Sequence, residues 1–157
     1  KSLNIIDSTA CIGGDTISFS KYFNHILSIE KNKIHYNILE HNINVLQIKN
    51  TKIVNNDFVT FIKNNHLYLK YDILFIDPPW GGPNYKQLKK IDLFINDDED
   101  TKINLKDIIN SYYNKFKYII LKSPTNLNLN KDDYLFKNIH TNFDKDNKIL
   151  LIIFEKI

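Results

Sequence analysis

The residues from Asp77 to Tyr85 read Asp-Pro-Pro-Trp-Gly-Gly-Pro-Asn-Tyr and follow the apolar run Tyr71-Asp72-Ile73-Leu74-Phe75-Ile76. That run is rich in β-branched and aromatic residues and predicts a buried strand, so Asp77 stands where open α/β sheets place their ligands. The prolines stiffen the backbone, and the glycines after Trp80 allow a sharp turn. We therefore expect a rigid segment that presents one acceptor and one indole face to a planar base with an amino group. The alternative is a turn that closes a strand, with Trp80 as a core anchor.

The composition indicates a soluble globular protein. Its 157 residues, 43% hydrophobic and 25% charged, are enough for one domain with a sizeable core. The sequence has no apolar run of about 18 residues, no Cys/His cluster with zinc spacing and a single Cys11, so we expect no membrane, no metal and a reducing compartment. It has no methionine and no arginine. We therefore expect a domain, residues 1–157, taken from a longer protein, in which phosphates would meet lysines.

Predicted strands and helices alternate along the chain. The predicted strands cover residues 2–7, 25–30, 52–55, 71–76, 118–121, 137–140 and 148–154, and the predicted helices cover residues 15–22, 33–45, 57–64 and 105–116. The helix 33–45 is expected to place Ile34, Ile38 and Val45 on one face, with Leu39 and Leu46 beside them. The polar residues 89–102 predict an exposed flexible insert. The alternation predicts an α/β, Rossmann-like fold: a mostly parallel seven-stranded sheet with one antiparallel edge strand and helices on both faces.

An acidic residue lies at or just beyond the end of each of the first four strands. These residues are Asp7, Glu30, Asp57 and Asp77. The turn after Asp7 contains Gly13 and Gly14, with Cys11 where a dinucleotide loop would have its first glycine. It is closer to the shorter loop that holds S-adenosylmethionine, in which Glu30 would accept from the ribose hydroxyls and Asp57 from the adenine amine. The predicted cofactor-binding residues are Asp7, Cys11, Gly13, Gly14, Thr16, Glu30, Asp57, Phe58 and Asp77.

Several of these residues also have a structural interpretation. Glu30 can be a solvated strand-end carboxylate, Phe58 a core residue and Cys11 a small buried filler. Asp7 can serve only to hold loop amides. What favours the functional interpretation is the joint order of the four acidic strand ends.

Two motifs resemble those of the trimethylguanosine synthases, which methylate the exocyclic N2 amine of an N7-methylguanosine RNA cap. Residues 7–16 are similar to that family's loop Asp-x-x-Cys-Gly-x-Gly-Gly-Asn-Thr, and residues 77–85 are similar to its Pro-Pro-Trp-Gly-Gly-Pro-x-Tyr signature. The resemblance spans essentially the whole chain. It implies a class I S-adenosylmethionine-dependent methyltransferase, an enzyme of RNA capping with capped RNA as its partner.

The resemblance also implies roles for individual residues. Trp80 would stack on the cationic methylated guanine, a cation–π contact worth ~2 kcal/mol or more when desolvated. Asp77 and the carbonyl of Pro78 would accept hydrogen bonds from the N2 amine. The implied catalytic residues are Asp77, Pro78 and Trp80, and the implied cap-binding residues are Trp80, Pro83, Tyr85, Lys122 and Asn126.

The sequence departs from the family pattern in three ways. The loop is altered around Ala10 and Cys11. The family's Pro-Arg-Asn is replaced here by Ser123-Pro124-Thr125-Asn126, which makes Lys122 a candidate substitute for a phosphate-binding arginine. The helical segment that the family carries ahead of its first strand is expected to lie outside this chain.

Two other functions stay open at this point. One is an N6-adenine or rRNA guanine-N2 methylase that uses the same Asp-Pro-Pro-aromatic geometry on a flipped or single-stranded base. The other is a non-catalytic methyltransferase-like domain that binds a cap or the cofactor. The expected location is intracellular, in the nucleus or cytoplasm of a eukaryote or in a virus of one.

Overall fold

The structure, a computed structural model, describes residues 3–97 and 99–156, without the side chains of residues 67 and 69. The chain divides into two compact units, Lys1–Phe75 and Ile76–Ile157. Ser2, the first residue of the predicted first strand, lies outside the described residues. The prediction of a single domain over residues 1–157 stays a prediction.

The first unit contains a parallel sheet. Its elements are β1 (Ile5–Asp7), α1 (Gly14–Phe19), β2 (Ile26–Glu30), α2 (Lys33–Val45), β3 (Thr51–Asn55), α3 (Phe58–Asn64), a 3-10 helix (His66–Lys70) and β4 (Ile73–Ile76). β1 pairs in parallel with β2 and β4, and β2 pairs in parallel with β3. All residues of β1, β2 and β4 are buried, which agrees with their nearly continuous apolar sequence.

Helix α2 packs through Leu39, which was expected beside the predicted apolar face, and not through that face itself. It begins after Asn32, whose side chain accepts hydrogen bonds from two backbone N–H groups of the first turn. Leu39 and Ile43 are buried and form a cluster with Ala10. The apolar residues predicted to share one face stay exposed: Ile34, Ile38 and Val45.

The second unit is mainly antiparallel. Its elements are a 3-10 helix (Pro83–Gln87), β5 (Phe94–Asn96), β6 (Lys102–Asn104), α4 (Leu105–Ser111), β7 (Tyr118–Pro124), a 3-10 helix (Lys131–Asp133), β8 (Asn138–Phe143) and β9 (Ile149–Glu155). β9 pairs antiparallel with both β7 and β8. In the β8–β9 turn, backbone N–H groups of Ile149, Lys148 and Asp146 hold the pKa of Asp144 below its usual value.

The predicted flexible insert at residues 89–102 is wrong. β5 and β6 form an antiparallel hairpin there. Ile91, Leu93 and Ile95 are buried, at a spacing of two residues that is typical of a strand with one packed face. Of the acidic residues that suggested flexibility, Asp97, Glu99 and Asp100 lie at the hairpin tip, and Asp98 lies outside the described residues.

The sheet order is β3-β2-β1-β4-β7-β9-β8, with the β5–β6 hairpin as a separate sheet. The predicted sheet, seven-stranded and mostly parallel with antiparallel pairing at one edge, is confirmed. Within the described residues, no helix is long and apolar enough to cross a membrane. The same residues contain no group of three or more His, Cys, Asp or Glu side chains that could hold a metal ion.

Candidate active site

The two glycines in the loop between β1 and α1 have different surroundings. Gly13 has φ +100°, and a Cβ built there would lie 2.6 Å from Leu39 Cδ1. A side chain at Gly13 would therefore be strained and would also push α2 away. At Gly14 a Cβ would meet nothing within 4 Å. The space beside Gly14 is therefore open.

A buried polar group supports this loop from below. The Thr16 hydroxyl donates to Asp7 Oδ2 and lies 2.8 Å from Ser28 Oγ. All three side chains are at most 1% exposed. Asp7 and Thr16, which were predicted as cofactor ligands, brace the loop from this buried position, and their contact with the cofactor stays a prediction. Ser28 was missed, although a serine within the apolar run of β2 is the signal that could have found it.

Cys11 does not fill the core as one interpretation held. It is exposed and has φ +48°, in the left-handed region that favours glycine. Its Sγ lies 3.9 Å from Nδ1 of His35, a residue that the sequence did not single out. Cys11 therefore occupies, in sequence and in conformation, the place where the resembled loop has its first glycine.

We expect the residue at position 11 to be limited by its backbone conformation. Cys11→Gly should leave the free energy of unfolding unchanged or raise it by up to about 1 kcal/mol, because relief of left-handed strain offsets the entropy of glycine. Cys11→Val should lower it by about 1 kcal/mol or more, because β-branched residues are poorly tolerated at positive φ. Urea unfolding of the two variants measures the difference. Equal stability would show that the position is not strained.

The Glu30 carboxylate is tied to the loop and retains acceptor capacity. Its Oε2 accepts from the N–H of Cys11 at 2.8 Å and its Oε1 from the N–H of Asn32 at 2.7 Å. A carboxylate has about four lone-pair sites, so two ribose hydroxyls can still donate to it. The open space at Gly14 and the carboxylate of Glu30 together fit a nucleoside-containing cofactor.

Asp57 and Phe58 begin α3. Asp57 Oδ1 accepts from the N–H of Thr60 at 2.9 Å and so caps the helix. Phe58 is 3% exposed, which favours its interpretation as a core residue. Asp57 follows β3, the parallel neighbour of β2, so Asp7, Glu30 and Asp57 lie at the carboxyl edge of three adjacent strands.

In the second unit, Asp77 directly follows β4 and pairs with Lys122 of β7. The Lys122 Nζ to Asp77 Oδ2 distance is 2.9 Å, and the side chains are 22% and 26% exposed. Lys122 was predicted as a phosphate ligand, whereas the structure gives its ammonium a carboxylate partner. A lone lysine within the apolar residues 118–124 is the sequence signal for a polar contact there.

The aromatic part of the segment is ordered by a ring contact. Trp80 and Tyr85 meet edge to face, with ring centroids 5.4 Å apart and an interplanar angle of 81°. Trp80 is half-buried, and its Nε1 is buried with no hydrogen-bond partner among the described residues. Gly81 and Gly82 have φ of +89° and +80°, and Pro83 begins the following 3-10 helix. The prolines and glycines thus build the rigid turn that the sequence predicted.

Asn126, predicted as a cap ligand, holds this segment in place, and its contact with the cap stays a prediction. Its Nδ2 donates to the carbonyls of Tyr85 and Leu88, both at 2.8 Å. The Asn126 carbonyl accepts from the N–H of Ile91 at 3.0 Å. The amide donors of Asn126 are therefore engaged with the backbone, and the side chain acts as a brace for Tyr85.

The sequence model of a family described as RNA cap guanine-N2 methyltransferase matches residues 3–154. The chain belongs to this family. The recognition based on the Asp7 loop and the Asp77–Tyr85 segment is confirmed. Membership also confirms S-adenosylmethionine as the cofactor.

Relatives of this family member come from a virus, a yeast and a bacterium. An uncharacterized protein of Acanthamoeba polyphaga mimivirus is 31% identical over 157 residues, 98% of this chain and 59% of that protein. The trimethylguanosine synthase of Schizosaccharomyces pombe is 33% identical over 84 residues, 52% of this chain and 35% of that protein. The ribosomal RNA small subunit methyltransferase J of Francisella philomiragia is 31% identical over 136 residues, 79% and 56% of the respective lengths. The chain thus spans less than two thirds of each.

Solved structures confirm the Rossmann-like fold. A conserved hypothetical protein of Streptococcus pyogenes has a TM-score of 0.70 at 15% identity, covering 99% of this chain and 86% of its own. An rRNA methylase of Streptococcus thermophilus has a TM-score of 0.63 at 10% identity, with coverages of 99% and 87%. At such identities the likeness concerns the fold.

Proposed function

We propose that this chain transfers a methyl group from S-adenosylmethionine to the exocyclic N2 amine of an N7-methylguanosine RNA cap, forming di- or trimethylguanosine. The observation that carries the proposal is the Trp80 ring, which is held edge to face by Tyr85 within the family's signature segment. A half-buried, oriented indole is the strongest cation–π platform among side chains, and N7-methylation makes guanine cationic.

The residues divide into those that hold the cofactor and those that hold the base. Glu30 would accept from the ribose hydroxyls, the backbone of residues 11–14 would line the amino-acid part, and Asp57 would face the adenine amine. When bound, S-adenosylmethionine supplies a methyl group already activated by its sulfonium. The chain's own task is then orientation, because correct placement of two reactants can supply about 7–11 kcal/mol of a barrier.

On the base side, Trp80 fixes the plane of the ring and Asp77 fixes its rotation. The Asp77 carboxylate and the Pro78 carbonyl would accept the two N–H groups of the N2 amine and direct its lone pair outward. Pro78 is buried, and the following Pro79 restricts its ψ, so the direction of its carbonyl is limited by the backbone. Pro83 and Tyr85 would border the base.

The chain is expected to prefer an N7-methylated acceptor. Incubation with labelled S-adenosylmethionine and either N7-methyl-GTP or GTP should label the first at least about 10-fold faster, because only the methylated base carries the charge that an indole favours. Mass spectrometry of the nucleoside then checks for methylation at N2. Comparable rates on the two nucleotides would contradict cap specificity.

A methylase of uncapped RNA is the second candidate, favoured by the similarity to the bacterial ribosomal RNA methyltransferase. Adding an uncapped small-subunit rRNA hairpin to the same assay separates the two, since only this candidate predicts label in the hairpin. If neither acceptor is labelled while calorimetry shows binding of cofactor or cap, the domain is non-catalytic.

We also propose an intracellular site of action, in the nucleus or cytoplasm of a eukaryotic or virus-infected cell, which imaging of the tagged protein checks.

A further inference from the structure

The Asp77–Lys122 pair has the geometry of a built contact. At 2.9 Å its N–O distance lies in the range of charge-assisted hydrogen bonds, whereas the pairs Lys106–Asp133 and Lys148–Asp146 lie at 3.5 and 3.6 Å. Both partners are about three-quarters buried, and both side chains of Lys148–Asp146 are more than half exposed. Exposed pairs contribute little because solvent screens them and side-chain entropy opposes them. The Asp77–Lys122 pair escapes much of both effects.

Both ends of the pair stand on fixed backbone. Asp77 lies between Ile76, the last residue of β4, and the buried Pro78. Lys122 lies within β7, where it is paired in register with Leu151 of β9. The backbone at both ends is therefore fixed before the ion pair forms, and the Asp77 carboxylate starts from the end of a sheet strand.

We propose that Lys122 is a positioning residue, which holds Asp77 as an oriented, ionised acceptor for the amino group of the substrate base, and that it is not a ligand of substrate phosphate. The inference rests on the proposed function, in which Asp77 receives that amine. The ammonium of Lys122 pairs with Oδ2 of Asp77. A carboxylate has about four lone-pair sites and can accept an N–H donor in addition to such a partner.

The pairing also defines the class of acceptor. A carboxylate compensated by an ammonium offers hydrogen-bond acceptors with little net charge, so it suits a neutral aromatic amine. Preference for a cationic ring is then assigned to Trp80 alone. On this basis two separate groups recognise the base: the indole of Trp80 binds its charged ring, and the Asp77–Lys122 pair binds its amine.

The test compares acceptors with and without phosphates. In Lys122→Met, kcat is expected to fall about 30- to 100-fold, and equally on N7-methyl-GTP and on the nucleoside N7-methylguanosine, with KM for each changed less than about 3-fold. Lys122→Arg should recover most of kcat, because a guanidinium can also donate to the carboxylate. The affinity for S-adenosylmethionine, measured by calorimetry, should change less than about 2-fold. Lys106→Met, which removes a lysine paired with Asp133 elsewhere in the same unit, is the matched control and should retain wild-type rates.

Three results would overturn the proposal. An increase in KM confined to N7-methyl-GTP would make Lys122 a phosphate ligand. An unchanged kcat in a folded Lys122→Met protein would remove any role in the reaction, and failure of Lys122→Arg to recover activity would point to a packing role. If Lys122→Met does not fold, Lys122→Gln is assayed in its place. Failure of the proposed function is distinct, since the wild-type chain would then leave both cap acceptors unmethylated; the variants are then compared on the uncapped hairpin.

Discussion

Replacing Trp80 by alanine is expected to weaken binding of N7-methyl-GTP by about 30-fold or more. The cation–π contact of a desolvated indole is worth about 2 kcal/mol or more, and each 1.4 kcal/mol is a factor of ten in affinity. The affinity of Trp80→Phe for N7-methyl-GTP should lie between those of the wild type and Trp80→Ala, because phenylalanine keeps a ring with a weaker negative face. Calorimetry with N7-methyl-GTP, GTP and S-adenosylmethionine measures the three affinities separately.

The pattern across ligands decides the interpretation of the Trp80 variants. Cofactor affinity should stay within about 2-fold of wild type, since Trp80 contacts the base in our proposal. Tyr22→Ala removes an aromatic side chain that is 69% exposed in the first unit and serves as the control. An equal loss for GTP and N7-methyl-GTP would reduce Trp80 to a general stacking surface, and no loss for either would remove it from the base site.

Glu30→Gln is expected to lower the affinity for S-adenosylmethionine about 100-fold. The carboxylate accepts the N–H groups of Cys11 and Asn32, one on each oxygen. An amide nitrogen in place of either oxygen would face a donor with a donor, and the ribose hydroxyls would lose a charged acceptor. Hydrogen bonds to charged groups contribute about 1.5–3 kcal/mol each, so the loss of one or two accounts for the expected change.

Calorimetry with S-adenosylmethionine tests this prediction, and Glu40→Gln provides the control. Glu40 lies on α2, whereas Glu30 ends β2, and among the described contacts Glu40 accepts only an exposed hydrogen bond from Tyr36. Its replacement should leave cofactor affinity unchanged. A Glu30→Gln protein that binds S-adenosylmethionine within about 3-fold of wild type would exclude Glu30 from the ribose site.

The elements whose signals are local were predictable from sequence. Helix α2 has the predicted bounds because Asn32 caps it and its apolar spacing is regular, and the buried strand before Asp77 follows from its apolar run. The packed face of α2 was not predictable in the same way. Its sequence offers two apolar stripes, and only the tertiary contact with Ala10 selects Leu39 and Ile43.

The parts of the site that depend on residue types with a special backbone conformation were predictable. The parts that depend on side-chain partners far away in the sequence were less so. Gly13 and the Pro78–Gly82 turn show their geometry in their residue types. The partners of Lys122 and Asn126 are about 40 residues away in the chain, at Asp77 and at Tyr85, and no local pattern records such pairings. The left-handed φ of Cys11 was not predictable either, because a cysteine has no preference for that region.

The brace from Asn126 to Tyr85 and Leu88 has a further consequence for the chain it encloses. It closes a loop of about 40 residues that contains the whole β5–β6 hairpin. The entropic cost of closing a loop rises by only about 0.6 kcal/mol for each doubling of its length. Extra residues at the hairpin tip would therefore destabilise the fold little. Insertions at that tip, by evolution or as an engineered affinity tag, should therefore leave the hydrogen bonds from Asn126 and the Trp80–Tyr85 contact in place.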